Sequence, residues 1–414
     1  MSQKKSVLVV GFNTRPLAFS LDRAGYDVYA VDFFGDLDLY PHVKDCIVIT
    51  KELDTSYDLI KDNYAQFLVE FALKLLEKHR DIDFLLIGSG LDNSFEQREK
   101  ILNHARKLSP PIISLNNAVP TVKDARDIDN IYKMLRKNGY RIPVSIPLKD
   151  FSENPLMPPY PLILKKKLSS GGVNVFKIVN QGDLEFHLEL IKKKKGNLNQ
   201  WMIQEYIEGI PVSCTTLSNG RETKRVSINR QILGEKLLNA PQPFMYCGNI
   251  SPSNLLKEHL KMIPEIAQFL SNALKLKGIN GFDFVLKKNY PYLMEINPRI
   301  PGSVRVSEEA FNLNLLELHR QSFDETKWSS VKKKLQNLEH KGYATKLVYF
   351  APKKIERSTL EQINSLAFIH DKTPPIKPVF QGEPVCTILF KEKTFAGSYF
   401  GALKVAEKLN ALLK

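Results

Sequence analysis

Between residues 278 and 299 the sequence places two carboxylates, an amide and a guanidinium at spacings suited to a metal ion and a phosphate. Gly278-Ile279-Asn280-Gly281-Phe282-Asp283-Phe284-Val285 is followed by Tyr292-Leu293-Met294-Glu295-Ile296-Asn297-Pro298-Arg299. On a strand, residues two apart share a face. Glu295 and Asn297 are therefore expected to project together, with Met294 and Ile296 turned into the core. If residues 282–286 and 292–296 pair with Asp283 opposite Glu295, residues 287–291 form a five-residue hairpin loop. Two carboxylates and an amide oxygen then meet on one patch. Such oxygen-only ligation suits Mg²⁺ shared with substrate phosphates, or Mn²⁺ in its place. Arg299 follows as a clamp for a phosphate or carboxylate. The plainer alternative is a polar hairpin edge. Glu295 and Asn297 alone do not separate the two readings; Asp283 and Arg299 beside them favour the metal site.

Two further stretches could serve the same site. Leu162-Ile163-Leu164-Lys165-Lys166-Lys167-Leu168-Ser169-Ser170-Gly171-Gly172-Val173-Asn174-Val175 reads as strand, lysine, small-residue loop, strand. A Ser/Gly loop lets backbone N–H groups wrap phosphate oxygens without interference from Cβ. Lys165 adds a point charge at the strand end. No Gly-Lys-Ser/Thr precedes a helix, so this is not a Walker A loop; taken alone it is a flexible hairpin. Trp201-Met202-Ile203-Gln204-Glu205-Tyr206-Ile207-Glu208-Gly209 is an apolar strand entering a polar hinge. Such a hinge could hold adenine through backbone groups, with an acid near the ribose hydroxyls. Taken alone it is an ordinary edge strand.

In this order and spacing the three stretches resemble the ATP-grasp superfamily, from about residue 117 to residue 299. The N-terminal unit is similar to the domain that precedes the grasp fold in that family. Gln381-Gly382-Glu383-Pro384-Val385-Cys386-Thr387-Ile388 resembles the tail of carboligases related to biotin carboxylase. The resemblance implies two α+β halves gripping ATP between antiparallel sheets. It also implies activation of a carboxylate as an acyl phosphate, which an amine or a thiol then attacks. Carried over by position, it implies catalytic roles for Lys165 and Arg299, and Asp283, Glu295 and Asn297 as metal ligands. Nucleotide contacts fall to Lys165, to the lid loop Ser169, Ser170, Gly171 and Gly172, and to the hinge Gln204, Glu205, Tyr206, Ile207 and Glu208. ATP and Mg²⁺ are the implied cofactors. Pro211 stands where many relatives carry a ribose-binding Glu, so Glu208 is expected to substitute. The basic ATP contact before the lid falls to Lys123 or Arg126. An ATP-dependent carboxylase-like enzyme is the alternative, disfavoured because no Ala-Met-Lys-Met biotin-attachment motif occurs.

The elements that must position these residues follow from periodicity. Residues 7–10, 28–31, 84–87 and 112–114 read as strands alternating with helices at 16–24 and 63–78, the pattern of a parallel sheet with crossover helices. Residues 124–138 read as one amphipathic helix with Ile128, Ile131, Tyr132 and Leu135 on one face, stopped by Gly139. Residues 154–161 carry four prolines and read as an irregular connection. Antiparallel strands are expected at 162–164, 175–178 and 201–204, a helix at 260–276, strands at 344–350 and 385–390, and a closing helix at 403–413. The fold class is α/β and α+β multidomain: an N-terminal Rossmann-like parallel domain at 1–118, an ATP-grasp domain at 119–322 with a lid at about 161–210, and a small α+β domain at 323–414.

The chain has 414 residues with 59 Lys+Arg against 45 Asp+Glu, a net charge of +14. Hydrophobic residues at 43% and charged residues at 25% fit a globular chain rather than a disordered or fibrous one. No apolar run reaches the ~18 residues of a membrane span. The apolar run after the start is too short for a signal peptide. With Cys46, Cys214, Cys247 and Cys386 scattered, the expected compartment is the cytoplasm. The basic runs at 192–195 and 332–334 adjoin helix-like segments and contain no aromatics. They read as solvated helix faces, and nucleic-acid binding is disfavoured. The expected partners are ATP, a small-molecule carboxylate and an amine, with a second copy of the chain left open.

An NAD(P)-binding Rossmann oxidoreductase is the rival reading, because Gly11 ends a strand and Asp32 lies about 20 residues on, the usual fingerprint spacing. Asn13 and Pro16 stand where glycines would be required. The segments 88–93, 229–231 and 246–249 are expected to be loops on the acceptor side.

Overall fold

The computed structural model describes residues 4–151, 159–169, 171–194 and 196–413. Ser170 and most of the proline-rich connection lie outside these residues.

Strands β1 (Ser6–Gly11), β2 (Asp27–Asp32), β3 (Asp45–Val48), β4 (Phe84–Ile87) and β5 (Ile113–Ser114) form a five-stranded parallel sheet in the order β3-β2-β1-β4-β5. All six residues of β1 are buried, as a sheet covered on both faces requires. The pleat divides them. Leu8 and Val10 pack under Leu68 and Leu75 of the helix Tyr64–Lys78, whereas Val7 and Val9 face Leu17 and Leu21 of the helix Arg15–Arg23. The second core continues into Ile279, Ile300 and Leu316, so one apolar layer joins this sheet to the next unit. Buried Asn117 pins the junction. Its amide nitrogen donates to Asn280 Oδ1 at 2.8 Å and the Pro298 carbonyl at 2.9 Å, and its oxygen accepts the Lys277 N–H at 2.8 Å.

The helix expected over 124–138 is two helices, Val119–Arg126 and Ile128–Lys137. Asp127 breaks it with non-helical backbone, and its carboxylate caps the second helix through Asn130 N at 3.1 Å. An N-cap preference inside an amphipathic run is enough to divide it. Ile131, Tyr132 and Leu135 are buried as the period demands.

Strands β6 (Ser145–Pro147), β7 (Leu162–Lys166), β8 (Val175–Ile178) and β9 (Trp201–Glu205) form a small antiparallel sheet in the order β6-β9-β7-β8. It is backed by the helix Gln181–Lys193 through Leu184 and Ile191. The described lysines of the run at 192–195 lie exposed at the end of this helix, and Lys332 of the second run pairs with Glu222 at 3.0 Å.

The third sheet has eight strands in the order β14-β13-β10-β11-β12-β15-β17-β16. Its members are β10 (Ile210–Asn219), β11 (Thr223–Leu233), β12 (Tyr246–Ser251), β13 (Lys277–Lys287), β14 (Tyr290–Asn297), β15 (Tyr343–Phe350), β16 (Ile369–His370) and β17 (Pro384–Glu392). Strands β10, β11 and β12 were not anticipated; polar residues on their cavity-facing side blur the apolar alternation. The helix Met262–Ala273, shorter than the expected 260–276, packs on Cys214, Ile228 and Phe282. The last strands are not a sheet of their own, since β15 pairs with β12. The closing helix is longer than expected, Phe395–Leu412.

Candidate active site

The hairpin β13–β14 sets Asp283 directly opposite Glu295. Its connection is a two-residue turn, Lys288 and Asn289, instead of the expected five-residue loop, with Lys288 in left-handed backbone at φ 54°. A tight turn would by itself pair Asp283 with Met294. A one-residue bulge between Asp283 and Phe284 shifts the register and brings in Glu295 instead. Ile296 stays in the core as expected, but Met294 lines the cavity, contrary to simple alternation.

Asp283 accepts hydrogen bonds from Gln231 Nε2 at 2.9 Å and Asn297 Nδ2 at 2.9 Å. Asn297 thus turns its amide nitrogen, not its oxygen, toward Asp283. Burial, then the neighbouring Glu295 charge, pushes the Asp283 carboxyl up to about 7; Asn297, Arg299 and Gln231 offset part of this. Glu295 is held by Arg126, whose Nη1 donates to it and to the Ile296 carbonyl at 3.3 Å. The other Arg126 nitrogens donate to the Ser169 carbonyl at 2.6 Å and to Asn93 Oδ1 at 3.1 Å. Arg299 Nε donates to Asp92 Oδ1 at 2.6 Å. Burial raises the Asp92 pKa, but Arg299 and Arg126 hold it below the ordinary aspartate value.

Asp283, Gln231, Asn297, Glu295, Arg126 and Arg299 line a cavity of about 620 Å³ between the three sheets. Lys165, on β7, faces it; burial lowers its pKa to about 8, with Glu295 drawing it back up and Arg126 opposing. Ser169, Gly171 and Gly172 of the Ser/Gly loop line the cavity. Ser169 is tied to Arg126, and the Gly171 carbonyl accepts the Tyr246 N–H at 3.1 Å. Gly172 has φ +80°, and a Cβ there would lie 1.9 Å from the Phe244 carbonyl oxygen, so only glycine seats the loop. At the hinge, Glu205, Tyr206 and Ile207 line the cavity. Gln204 also lines it, but its amide nitrogen is committed to Tyr132 Oη at 3.0 Å and Ser145 Oγ at 2.9 Å. Glu208 is exposed and outside the cavity wall, so the expected substitution for the ribose-binding acid finds no geometric support. Of the two basic candidates before the lid, Arg126 lines the cavity; Lys123 instead lies over the Phe95 ring, 5.6 Å from its centroid.

Of the segments expected on the acceptor side, Gly88, Ser89, Gln231, Tyr246 and Asn249 line the cavity, but residues 229–231 and 246–249 lie in strands β11 and β12 rather than in loops. The sequence reading missed Lys346 of β15, which also faces the cavity. A lysine as the lone charged residue at the centre of strand β15 was the available signal.

Asp32, the residue on which a dinucleotide reading rests, is fully buried. Its carboxylate accepts the Thr14 N–H at 2.7 Å, Thr14 Oγ1 at 2.8 Å, and the N–H groups of Phe34 and Gly35 at 2.9 and 2.7 Å. No lone pair is left for a ribose, and the oxidoreductase reading is set aside.

Among the described residues, no three His, Cys, Asp or Glu side chains cluster to hold a metal. The donors available here are two carboxylates and one amide. They fit a divalent cation shared with a ligand's phosphates: burial and then the Glu295 charge raise the Asp283 pKa, and a cation between the two carboxylates would stabilise the ionised form against both. Among the described residues, no helix is long and apolar enough to cross a membrane.

Residues 125–303 match the ATP-grasp domain family. Over 389 residues the chain is 26% identical to an uncharacterized protein of Methanocaldococcus jannaschii, covering 93% of this chain and 88% of that one. It is 21% identical to the carbamoyl phosphate synthase large chain of Caldanaerobacter subterraneus subsp. tengcongensis over 67% of this chain. That match spans only 24% of the synthase chain. The fold is similar to the crystal structure of L-amino acid ligase from Bacillus licheniformis, with a TM-score of 0.68, 15% identity and 98% of each chain covered. Residues 125–303, which hold Arg126, Lys165, Asp283 and Glu295, are thus similar to an ATP-grasp domain.

Proposed function

We propose that the protein is an ATP-dependent ligase that joins a small-molecule carboxylate to an amine, forming a carbon–nitrogen bond with release of ADP and phosphate. The observation that carries this is the convergence of Asp283, Glu295, Lys165, Arg126 and Arg299 on one cavity lined by a glycine-dependent loop. A cavity of about 620 Å³ lies within the ordinary small-molecule range. The carbamoyl phosphate synthase and amino acid ligase relationships support the reaction class.

The backbone of Glu205, Tyr206 and Ile207 would meet the adenine. Lys165 and the N–H groups of the lid loop would hold the β- and γ-phosphates. Mg²⁺, held by Asp283, Glu295 and the Asn297 oxygen after rotation of its amide, would supply neutralisation of phosphate charge. The substrate carboxylate attacks the γ-phosphorus, the bond to the bridging oxygen breaks, and ADP leaves. Arg299 and Arg126 would face charge spread over the transferring group, where positioning and fixed positive charge do most of the work. The amine then attacks the acyl carbon, and phosphate leaves with the electron pair.

An ADP-release screen over pooled carboxylates and amines, with mass detection of products, tests the reading. Amide products that require both partners and Mg-ATP support it. Bicarbonate-dependent ADP formation in the presence of free biotin would favour the carboxylase-like alternative. Titration of a fluorescent ATP analogue tests the nucleotide site: equal binding by wild type and Lys165→Ala, with or without Mg²⁺, removes Lys165 from it.

A further inference from the structure

A polar row crosses one face of the eight-stranded sheet, starting at the carboxylate pair. Residues directly opposite on antiparallel strands project to the same face. The register runs Glu295 to Asp283, Asp283 to Ser213, Ser213 to Asn229, and then, two residues along β11, Gln231 to Asn249 and Asn249 to Lys346. Contacts confirm the shared face: Gln231 reaches Asp283 at 2.9 Å, and Asn249 reaches Ser213 Oγ at 3.4 Å. Lys346 ends the row on the cavity wall.

Lys346 is 8% exposed, and its ammonium donates no hydrogen bond among the described residues. Its nearest carboxylate, Asp371, is 3.9 Å away and already engaged. Arg15 Nε and Nη2 approach one Asp371 oxygen at 2.6 and 2.5 Å, and Thr387 Oγ1 donates to the other at 2.7 Å. The side chain is largely buried and its ammonium, on the cavity lining, has no protein hydrogen-bond partner among the described residues, so a ligand oxyanion in the cavity would meet free charge-assisted donors there.

Resting on the ligase reading above, we propose that the acceptor substrate carries, at the end remote from its reacting group, an oxyanion that Lys346 binds. That group is a carboxylate or a phosphate. Four strand spacings separate the Asp283 and Lys346 backbones, or ~19 Å along a flat sheet at ~4.8 Å per step. A one- or two-carbon acid cannot bridge such a span, so the substrate is extended. Lys346 is thus a specificity-determining residue, not a participant in phosphoryl transfer.

The test is calorimetric titration of the protein loaded with Mg²⁺ and a non-hydrolysable ATP analogue. The probes are succinate, adipate, their monoamides and 5-phosphonopentanoate. Adipate is expected to bind at least about tenfold more tightly than its monoamide, the worth of one charge-assisted hydrogen bond. It should also bind more tightly than succinate. The phosphonate arm shows which oxyanion fits better. Lys346→Met should abolish the preference for the diacid over its monoamide, and Lys346→Arg should keep it. Equal binding of adipate and its monoamide by wild type, or an unchanged preference in Lys346→Met, overturns the inference. If Lys346→Met does not fold, the wild-type comparison decides alone. If the ATP analogue binds but no probe acid does, this inference falls and the nucleotide site stands. If the analogue itself fails to bind, the nucleotide site falls, and the same titration on nucleotide-free protein decides the role of Lys346.

Discussion

Arg126 and Glu295 form an ion pair on the cavity wall, and the same guanidinium holds the Ser169 carbonyl at 2.6 Å. One side chain therefore couples the carboxylate hairpin to the phosphate loop. Arg126 lies at the end of its helix because Asp127 breaks the run there.

Replacing Arg126 by Met should lower kcat/KM for ATP by ~10²-fold or more, the scale of losing one key electrostatic stabiliser. Arg126→Lys keeps the charge but cannot span Glu295, Ser169 and Asn93 together, so it should recover only part of the loss. Steady-state kinetics of ADP release checks both. Full activity in Arg126→Met would show that the coupling is not used.

Asp283→Asn and Glu295→Gln should each lower turnover by ~10²-fold or more, since each removes a hard oxygen donor and leaves a nearly isosteric amide. Melting temperatures of the nucleotide-free variants should move little, while the rise produced by Mg-ATP should shrink. Variants that unfold, or that stay fully active, would place the metal elsewhere.

Asp283 also predicts a pH dependence of stability. Its carboxyl is raised from the ordinary 3.8 to about 7, so between these values the folded chain holds more protons than the unfolded chain. Its contribution is fully present below 3.8 and is lost as pH rises through about 7. Denaturant melts of nucleotide-free protein between pH 5 and pH 8 should show this loss, and Asp283→Asn should flatten it. Parallel curves for the two proteins would mean that Asp283 ionises normally.

Gly172→Ala should prevent the lid loop from seating, because its Cβ would lie 1.9 Å from a carbonyl oxygen that cannot rotate away. Gly171→Ala meets nothing within 4 Å and pays only left-handed strain of ~1–2 kcal/mol. Limited proteolysis in the presence of an ATP analogue should therefore nick residues 167–174 faster in Gly172→Ala than in Gly171→Ala or wild type. Equal cleavage of the two variants would mean that the loop does not close on Phe244.

The order of motifs and side-chain alternation in the sequence pointed to the strands and loops that line the cavity, because these are local properties of the chain. The parallel N-terminal sheet was legible for the same reason: short apolar strands alternate with amphipathic helices. That Asp283 faces Glu295 was legible only as one possible register, and the bulge between Asp283 and Phe284 decided it. Tertiary structure decided the rest. The bulge that turns Met294 into the cavity depends on how β13 and β14 settle their register, which periodicity cannot express. The place of Arg126 depends on one aspartate breaking a helix, and the exposure of Glu208 on the path the hinge takes after β9. Lys346 lies 63 residues beyond Asp283 in sequence, yet both face one cavity because β12 bridges β11 and β15. Pairing between strands so distant in the chain is fixed by which surfaces bury together, and only the folded sheet brings these side chains to one face.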